Sequence, residues 1–413
     1  MTSLRLIGLT LVLTLPARAQ WTHASGSGAM AASVVPQSAS GQGENAARSQ
    51  ALALEQQGRS AEAEAAWRGV LKAHPSSAEA YAHLGLLAAR QDHYKEAIPL
   101  YRKALALGPA MPGLRLNLGL ALFKDGDLKQ AIQQFQLVKA PAAGTPAAQQ
   151  LTILMGMAHY GLSEFAEAAT YLKKAASADP PNLQLRLALA HSCLWSKQYQ
   201  CVLDTYHEIL MLNAESAEAD MLAGEAEDEL ENYEGAIQQF RAAVKANPRE
   251  PDVHFGLGYL LWSRRQFAEA VGEFQAELAN NPDHAQALVH LGDTDIQLNH
   301  PELAPPLLKK AAEIDPRLEL AHFDLGILAA DAGRNDEALR ELLLAEKLAP
   351  ADVGIHWHLA RLYKAMGKRD ASKAEFDKAA NITKAADDEL YKKMGSGRNQ
   401  PQPSRNEPGG TGK

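Results

Sequence analysis

The chain has 14 histidines and 49 acidic residues, enough material for acid–base or metal chemistry, but their spacing does not assemble a catalytic set. His207-Glu208 lacks the second histidine, one helical turn on, that a zinc-protease helix requires. No glycine-rich phosphate loop and no nucleophile-elbow pattern occurs. His356 and His358 lie two apart, so on a helix they face different directions and form no ready metal pair. No cofactor motif and no metal-binding motif is found.

Other residues suit binding better than catalysis. Phe255, Tyr259 and Trp262 lie at i, i+4 and i+7, which aligns three rings on one face of a helix. A solvated helix would carry polar residues there. The segment from Glu215 to Glu234 holds nine acids and no lysine or arginine. It suits docking of a basic segment, or it is a solvated helix face followed by a charged turn. Cys193 and Cys201, the only cysteines, straddle a turn near Ser196–Gln198. They are either a disulfide across that turn or two small buried side chains.

The elements that must position these residues follow from one period. Small residues fall at Gly85, Gly119, Gly156, Ala190, Gly224, Gly258, Gly292, Gly326 and Ala360. Every step is 34 residues except one of 37. Such a period means stacked supersecondary units in place of one closed core. Ten units span 44–386, with residues 146–148 as the single insertion. Each reads as two helices. In 251–284, Val253, Leu257, Leu260 and Leu261 form one apolar stripe, and Phe267, Ala270, Val271 and Phe274 form a second. Asn281-Pro282 ends the pair, because the residue before a proline is pushed out of helical geometry. Asp125-Gly126-Asp127 and Gly333-Arg334-Asn335 signal turns between paired helices, and Pro305-Pro306 should delay the second helix of its unit.

These columns resemble the tetratricopeptide repeat, whose pattern is Trp-x2-Leu-Gly-x2-Tyr, then Ala-x3-Phe, then Pro. Tyr81-Ala82-His83-Leu84-Gly85, His254–Gly258 and His322–Gly326 resemble its opening. The pairs Ala97/Tyr101, Ala131/Phe135, Ala236/Phe240, Ala270/Phe274 and Ser372/Phe376 match its second half. The pattern departs at Ala51, Ala190 and Ala360 for Gly, at Ala143 and Ala214 for Pro, and at Val202 for Ala. His254, His322 and His356 share one column, where the family carries an aromatic, and read as packing residues. The resemblance implies an all-α, right-handed α-solenoid of about ten helix-turn-helix units. It also implies a concave surface, lined by the first helices, that holds peptides or partner helices.

On that surface the aromatic column continues as Val289, Asp293 and Ile296, then Phe323, Ile327 and Ala330, then Trp357, Arg361 and Lys364, with His290 and Asp324 beside it. Glu225 and Asp228 belong to the same column within the acidic run. The candidate partner-binding residues are therefore Phe255, Tyr259, Trp262, His290, Asp293, Phe323, Asp324, Trp357, Glu225 and Asp228. The alternative is that the column packs against the adjacent unit, and it is apolar elsewhere, at Leu116, Ile153 and Met221. Some family members grip a terminal carboxylate on this surface. Only Asn117 matches that set, so the specificity is not carried over.

The ends differ from the repeats. Arg5, the apolar stretch Leu6–Leu15 and Ala17-Arg18-Ala19 predict a secretory signal over 1–19. An uncleaved anchor or a misplaced start are the alternatives. Residues 20–43 read as a flexible linker, and 387–413 as the end of the last helix followed, from residue 395, by a disordered tail. Removing 1–19 takes away Arg5 and Arg18 and no acid, so formal charge moves from −8 to −10. That balance argues against nucleic acid, which needs a basic stripe. No integral membrane segment is expected after signal cleavage. The expected localisation is the periplasm, cell surface or medium of a bacterium. The function expected is a non-enzymatic scaffold for protein or peptide partners. The alternative is a component of envelope assembly or polysaccharide export. An enzyme would need a catalytic domain, and the segments outside the repeats are too short to form one.

Overall fold

The structure is a computed structural model. It describes residues 39–109 and 111–397, with side chains described over 45–109 and 111–389. The expected signal (1–19), the linker up to residue 38 and the tail from residue 398 lie outside the described residues. Among the described residues there are twenty helices and no strand. They follow one another in ten pairs, as the 34-residue period requires.

The first pairs are α1 (Ala39–Gln56) with α2 (Ser60–Ala73), α3 (Ala78–Arg90) with α4 (Tyr94–Leu107), and α5 (Leu114–Asp125) with α6 (Leu128–Gln136). Next come α7 (Pro146–Gly161) with α8 (Phe165–Ala178) and α9 (Leu183–Trp195) with α10 (Tyr199–Leu212). Then follow α11 (Ala217–Glu229) with α12 (Tyr233–Ala246) and α13 (Val253–Ser263) with α14 (Phe267–Asn280). The last are α15 (Ala285–Gln297) with α16 (Ala304–Ile314), α17 (Glu319–Asp331) with α18 (Asn335–Leu348), and α19 (Val353–Ala365) with α20 (Arg369–Gly397). The chain divides at Phe240 into two compact units, described separately below as the N-terminal and C-terminal units.

Boundaries depart from expectation in three places. Residues 39–43 belong to α1 and not to a linker. Residues 146–148 are the first turn of α7 and not extra loop; Pro146 sits where a missing N–H costs nothing, and Thr145 caps the helix by accepting from the Ala148 N–H. Residues 395–397 still belong to α20. Pro305-Pro306 acts as its chemistry dictates. Both prolines fall in the first turn of α16, which starts three residues later in register than α14 or α18.

First and second helices differ in burial. On α13, His254, Phe255, Gly256, Leu257, Gly258, Leu260 and Leu261 are all buried, because the helix is covered by α14, by α15 and by the Phe240 ring. On α14 only Ala270, Phe274 and Glu277 are buried, so one stripe faces inward and the rest meets water. The paired helices close through a missing side chain. A Cβ at Gly258 would lie 2.8 Å from the Phe274 ring, and one at Gly119 would lie 2.5 Å from Phe135. Both aromatic rings are fully buried. Phe274 therefore fills the space over its own unit's glycine as well as reaching the next unit.

The turn inside each pair is the same throughout. A residue with positive φ recurs at Gly58, Asp92, Gly126, Ser163, Lys197, Glu231, Arg265, Asn299, Gly333 and Gly367. Two backbone bonds close it; in the second pair the Asp92 N–H donates to the Ala89 carbonyl and the His93 N–H to that of Ala88, at 3.1 and 3.0 Å. This is the left-handed helix C-cap that glycine favours. Six of the ten positions are not glycine, so packing on either side of the turn imposes the geometry. Ser163 is exposed. Ser163→Gly is therefore expected to raise stability by about 0.5–1 kcal/mol, read by denaturant melts; an unchanged or lowered midpoint would show that the turn carries no left-handed cost.

Candidate functional site

The buried polar residues come first, because they decide what remains for function. His254, His322 and His356 each place Nδ1 against a glutamate on the second helix of their own unit. The partners are Glu273, Glu341 and Glu375, at 2.7, 2.8 and 2.7 Å. Each pair is 19 residues apart. The shared histidine column is thus more than packing; it is a repeated polar brace between the two helices of a unit. His322 and His356 also set Nε2 against the carbonyls of Pro316 and Pro350, at 3.1 and 3.0 Å. His358 points elsewhere, with its ring edge-on to Phe323 at 5.3 Å.

Two clusters have the composition of a metal site, and chemistry argues against both. Glu346, His356 and Glu375 converge, but the Lys378 ammonium already lies 2.7 Å from Glu346 and 2.9 Å from Glu375. Asp252, Glu277 and His284 also converge. There the Ala287 N–H donates to His284 Nδ1 at 3.0 Å, which fixes the ring proton on Nε2. Nε2 faces Asp252 at 2.9 Å and, carrying its proton, has no lone pair for a metal.

In the C-terminal unit Phe255, Tyr259 and Trp262 close around His290. Tyr259 and Trp262 stack on that imidazole with centroids 5.3 and 4.8 Å away, and Phe255 lies at 5.7 Å. Phe255 is buried, while Tyr259 and Trp262 keep partial exposure. His290 Nδ1 is enclosed and has no hydrogen-bond partner. Burial, with His284 nearby, pushes the His290 pKa down to about 4, so the ring is neutral at physiological pH. The Trp262 indole N–H donates to Asp293 Oδ2 at 2.5 Å, and the Gln297 amide donates to Oδ1 at 3.2 Å.

The same register places Asp324 where the preceding unit has His290. Its side chain is buried, and Oδ2 has no hydrogen-bond partner. Burial, then the charges of Asp293 and Glu319, hold its carboxyl well above the usual carboxylate range. Phe323 is half-buried beside it. Trp357 is the exposed ring of the set, at 45% exposure, and carries the Arg361 guanidinium over its face at 4.8 Å.

In the N-terminal unit much of the acidic run is engaged internally. Asp220 is buried and accepts from the Tyr206 hydroxyl at 2.9 Å. Glu218 pairs with His191 at 2.9 Å, and Glu229 accepts from the Tyr199 hydroxyl at 2.9 Å. Glu225 and Asp228 are half-buried, and both have interactions within the fold. They lie in a different compact unit from the aromatic band. Cys193 and Cys201 are joined by a disulfide with Cα atoms 5.9 Å apart, which links the end of α9 to the start of α10.

Family models described as "Tetratricopeptide repeat" match residues 48–112, 88–152, 203–251, 221–285, 255–319 and 353–385. The chain belongs to the tetratricopeptide-repeat family. Anaphase-promoting complex subunit 3 of Schizosaccharomyces pombe is 20% identical over 298 residues, covering 72% of this chain and 44% of that protein. DnaJ protein P58IPK homolog B of Oryza sativa subsp. japonica is 23% identical over 334 residues, covering 77% of this chain and 65% of that protein. The chain therefore spans only part of the length of these relatives. Among solved structures, YrrB, described as a TPR protein with an unusual peptide-binding site, is 21% identical with a TM-score of 0.37, over 46% of this chain and 97% of that one. MamA from Desulfovibrio magneticus RS-1 is 18% identical with a TM-score of 0.37, over 41% of this chain and 96% of that one.

Within the tetratricopeptide units, the glutamate partners of the histidine column escaped the sequence reading. A signal was present: histidine at the fourth position of a unit coincides with glutamate at the twenty-third in 251–284, 319–352 and 353–386. The last of these braces titrates. Burial alone would lower the His356 pKa, but the Pro350 carbonyl, Glu375 and Glu346 raise it above the ordinary 6.5. Its stabilising contribution is therefore complete below about pH 6.5 and is lost as pH rises through the folded value. The unfolding midpoint should fall between pH 6 and pH 8.5, and His356→Gln should flatten that slope. An identical slope in the variant would remove His356 as its source.

Proposed function

We propose that this tetratricopeptide array is a non-enzymatic scaffold that holds peptide or protein partners on the first-helix surface of its C-terminal unit. One observation carries the reading. Trp357 stands 45% exposed on a first helix, beside half-buried Phe323, where a helix with no partner would carry polar residues. Large rings at the edge of a partly polar surface are what a binding surface uses, because they bury much area at low entropic cost. The two clusters with the composition of a metal site are closed by internal partners.

The disulfide favours a second, compatible reading, in which the scaffold works outside the cytoplasm as part of an envelope assembly. Disulfides persist in oxidising compartments, and the predicted signal points the same way. Among the described residues no helix is long and apolar enough to cross a membrane. A polysaccharide-export role is one form this reading takes, and saccharide affinity is what would separate it from protein binding alone.

The scaffold reading is tested by selecting peptides from a random display library against the full chain. Selected peptides should lose binding about tenfold on Trp357→Ala, with the far-ultraviolet circular dichroism unchanged. They should be indifferent to Met211→Ala, which alters an exposed side chain on a second helix of the other unit. The reverse pattern would move the site off the first helices. Trp262→Ala is a poor substitute, because it also removes the ring over His290 and the donor to Asp293, and should destabilise the fold by about 2–3 kcal/mol.

A further inference from the structure

Among the described residues, three carboxyl groups on the first helices of the C-terminal unit have no cationic partner. Asp293 on α15 takes its two hydrogen bonds from neutral donors, the Trp262 indole and the Gln297 amide. Asp324 on α17 is 4% exposed, and its Oδ2 has no partner at all. The acids around Asp324 are Asp293 and Glu319, and Glu319 in turn lies near Asp352. Asp352 is occupied in capping α19, where it accepts from the Ile355 N–H at 3.1 Å. Arg361 makes a ring contact with Trp357 and no ion pair with these acids.

A buried carboxyl with an unmet oxygen is costly, and one beside like charges more so. Burial of this kind is stable only with a counter-charge or a proton in place. The surrounding rings matter as well. Trp262 on α13 donates to Asp293, Phe323 immediately precedes Asp324 on α17, and an aromatic face accepts a cation. Arg361 over Trp357 shows a guanidinium in that arrangement within the chain itself.

We propose that Asp293, Asp324 and Glu319, flanked by Trp262 and Phe323, receive an arginine or lysine side chain from an extended segment of a partner protein. This rests on the scaffold reading above and adds the chemistry of the occupant. It is opposite in sign to the capture of a terminal carboxylate. The cation enters between α15 and α17, Asp324 turns its free oxygen toward it, and the buried carboxyl gains the counter-charge it lacks. Arginine suits the site better than lysine, because its planar fork reaches two carboxylates at once.

The test is isothermal titration of the full chain with three eight-residue peptides: alternating Gly-Arg, Gly-Ser and Gly-Glu. The Gly-Arg peptide should bind, weakening as salt is raised, and the other two should not. Asp324→Asn and Glu319→Gln should each weaken it about fivefold to tenfold, while Glu96→Gln with Glu167→Gln, at two exposed acids on second helices of the other unit, leaves it unchanged. Circular dichroism and melting confirm that each variant is folded. Because Asp324→Asn removes a buried like charge, it should melt no lower than the parent, which separates lost binding from lost structure. Equal binding by the Asp324→Asn and parent chains, or loss on the Glu96/Glu167 change instead, would overturn the proposal. Binding that appears only after residues 398–413 are removed would give the site to the chain's own basic tail, and would also overturn it. If library peptides bind at Trp357 but the Gly-Arg peptide does not, the scaffold reading stands and this one falls. If no peptide of any kind binds, the scaffold reading falls first.

Discussion

Close approach of two helices, permitted where the residue between them is glycine or carries only a methyl group, underlies everything else in the molecule. Gly258 beneath Phe274 and Gly119 beneath Phe135 bring paired helices to a separation that any Cβ would prevent. A large ring then finds its cavity in the backbone of the opposite helix. The seam is short, and one pair buries too little to stand alone. Its outer faces are covered only when another pair stacks on them. Hence first helices such as α13 are buried almost all round, and second helices such as α14 along one stripe. The left-handed turn follows from the same constraint, since it returns the chain along the helix it has just left. Asp92, Lys197 and Arg265 adopt it without being glycine because packing on both sides leaves no other path.

Polar groups inside such a stack have few roles open to them. Three histidines brace first to second helices through glutamates, and a fourth, His284, caps its own helix while facing Asp252. These groups have the composition of catalytic or metal sites and lack the chemistry. Lys378 supplies the cation in one cluster, and the tautomer withholds a ligand atom in the other. The candidate surface is what this internal pairing leaves over. In the C-terminal unit it is aromatic and acidic, and among the described residues no cation pairs with Asp293, Asp324 or Glu319, whereas Glu218, Asp220 and Glu229 of the N-terminal unit are engaged by a histidine and two tyrosines.

The aromatic band shows where a column reading stops. Phe255, Tyr259 and Trp262 share a helix face, as their spacing requires, but that face meets His290 of the next unit. The rings therefore serve packing and surface at once. Trp357 has the His358 ring edge-on and the Arg361 guanidinium over its face, and stays exposed. Asp324 occupies the place of His290 and meets Asp293 where His290 meets rings. Identical register, with different residues on two neighbouring units, gives a closed aromatic cluster in one place and unneutralised carboxylates in the other.

The 34-residue period, by itself, determined the helix pairs, their order and the family, because repeated apolar spacing can be satisfied only by stacking. It also placed the cysteines about one turn and the prolines at their helix ends. Tertiary structure alone decided what each column touches. The histidine–glutamate braces join positions 19 residues apart, the Cys193–Cys201 bond depends on Cβ directions, and the exposure of Trp357 depends on the residue facing it. The physical reason is that local spacing fixes the face of a helix, whereas burial and charge depend on the neighbouring helix brought against it. A period in one chain names that neighbour but does not say whether two side chains will pair, stack or be left without a partner.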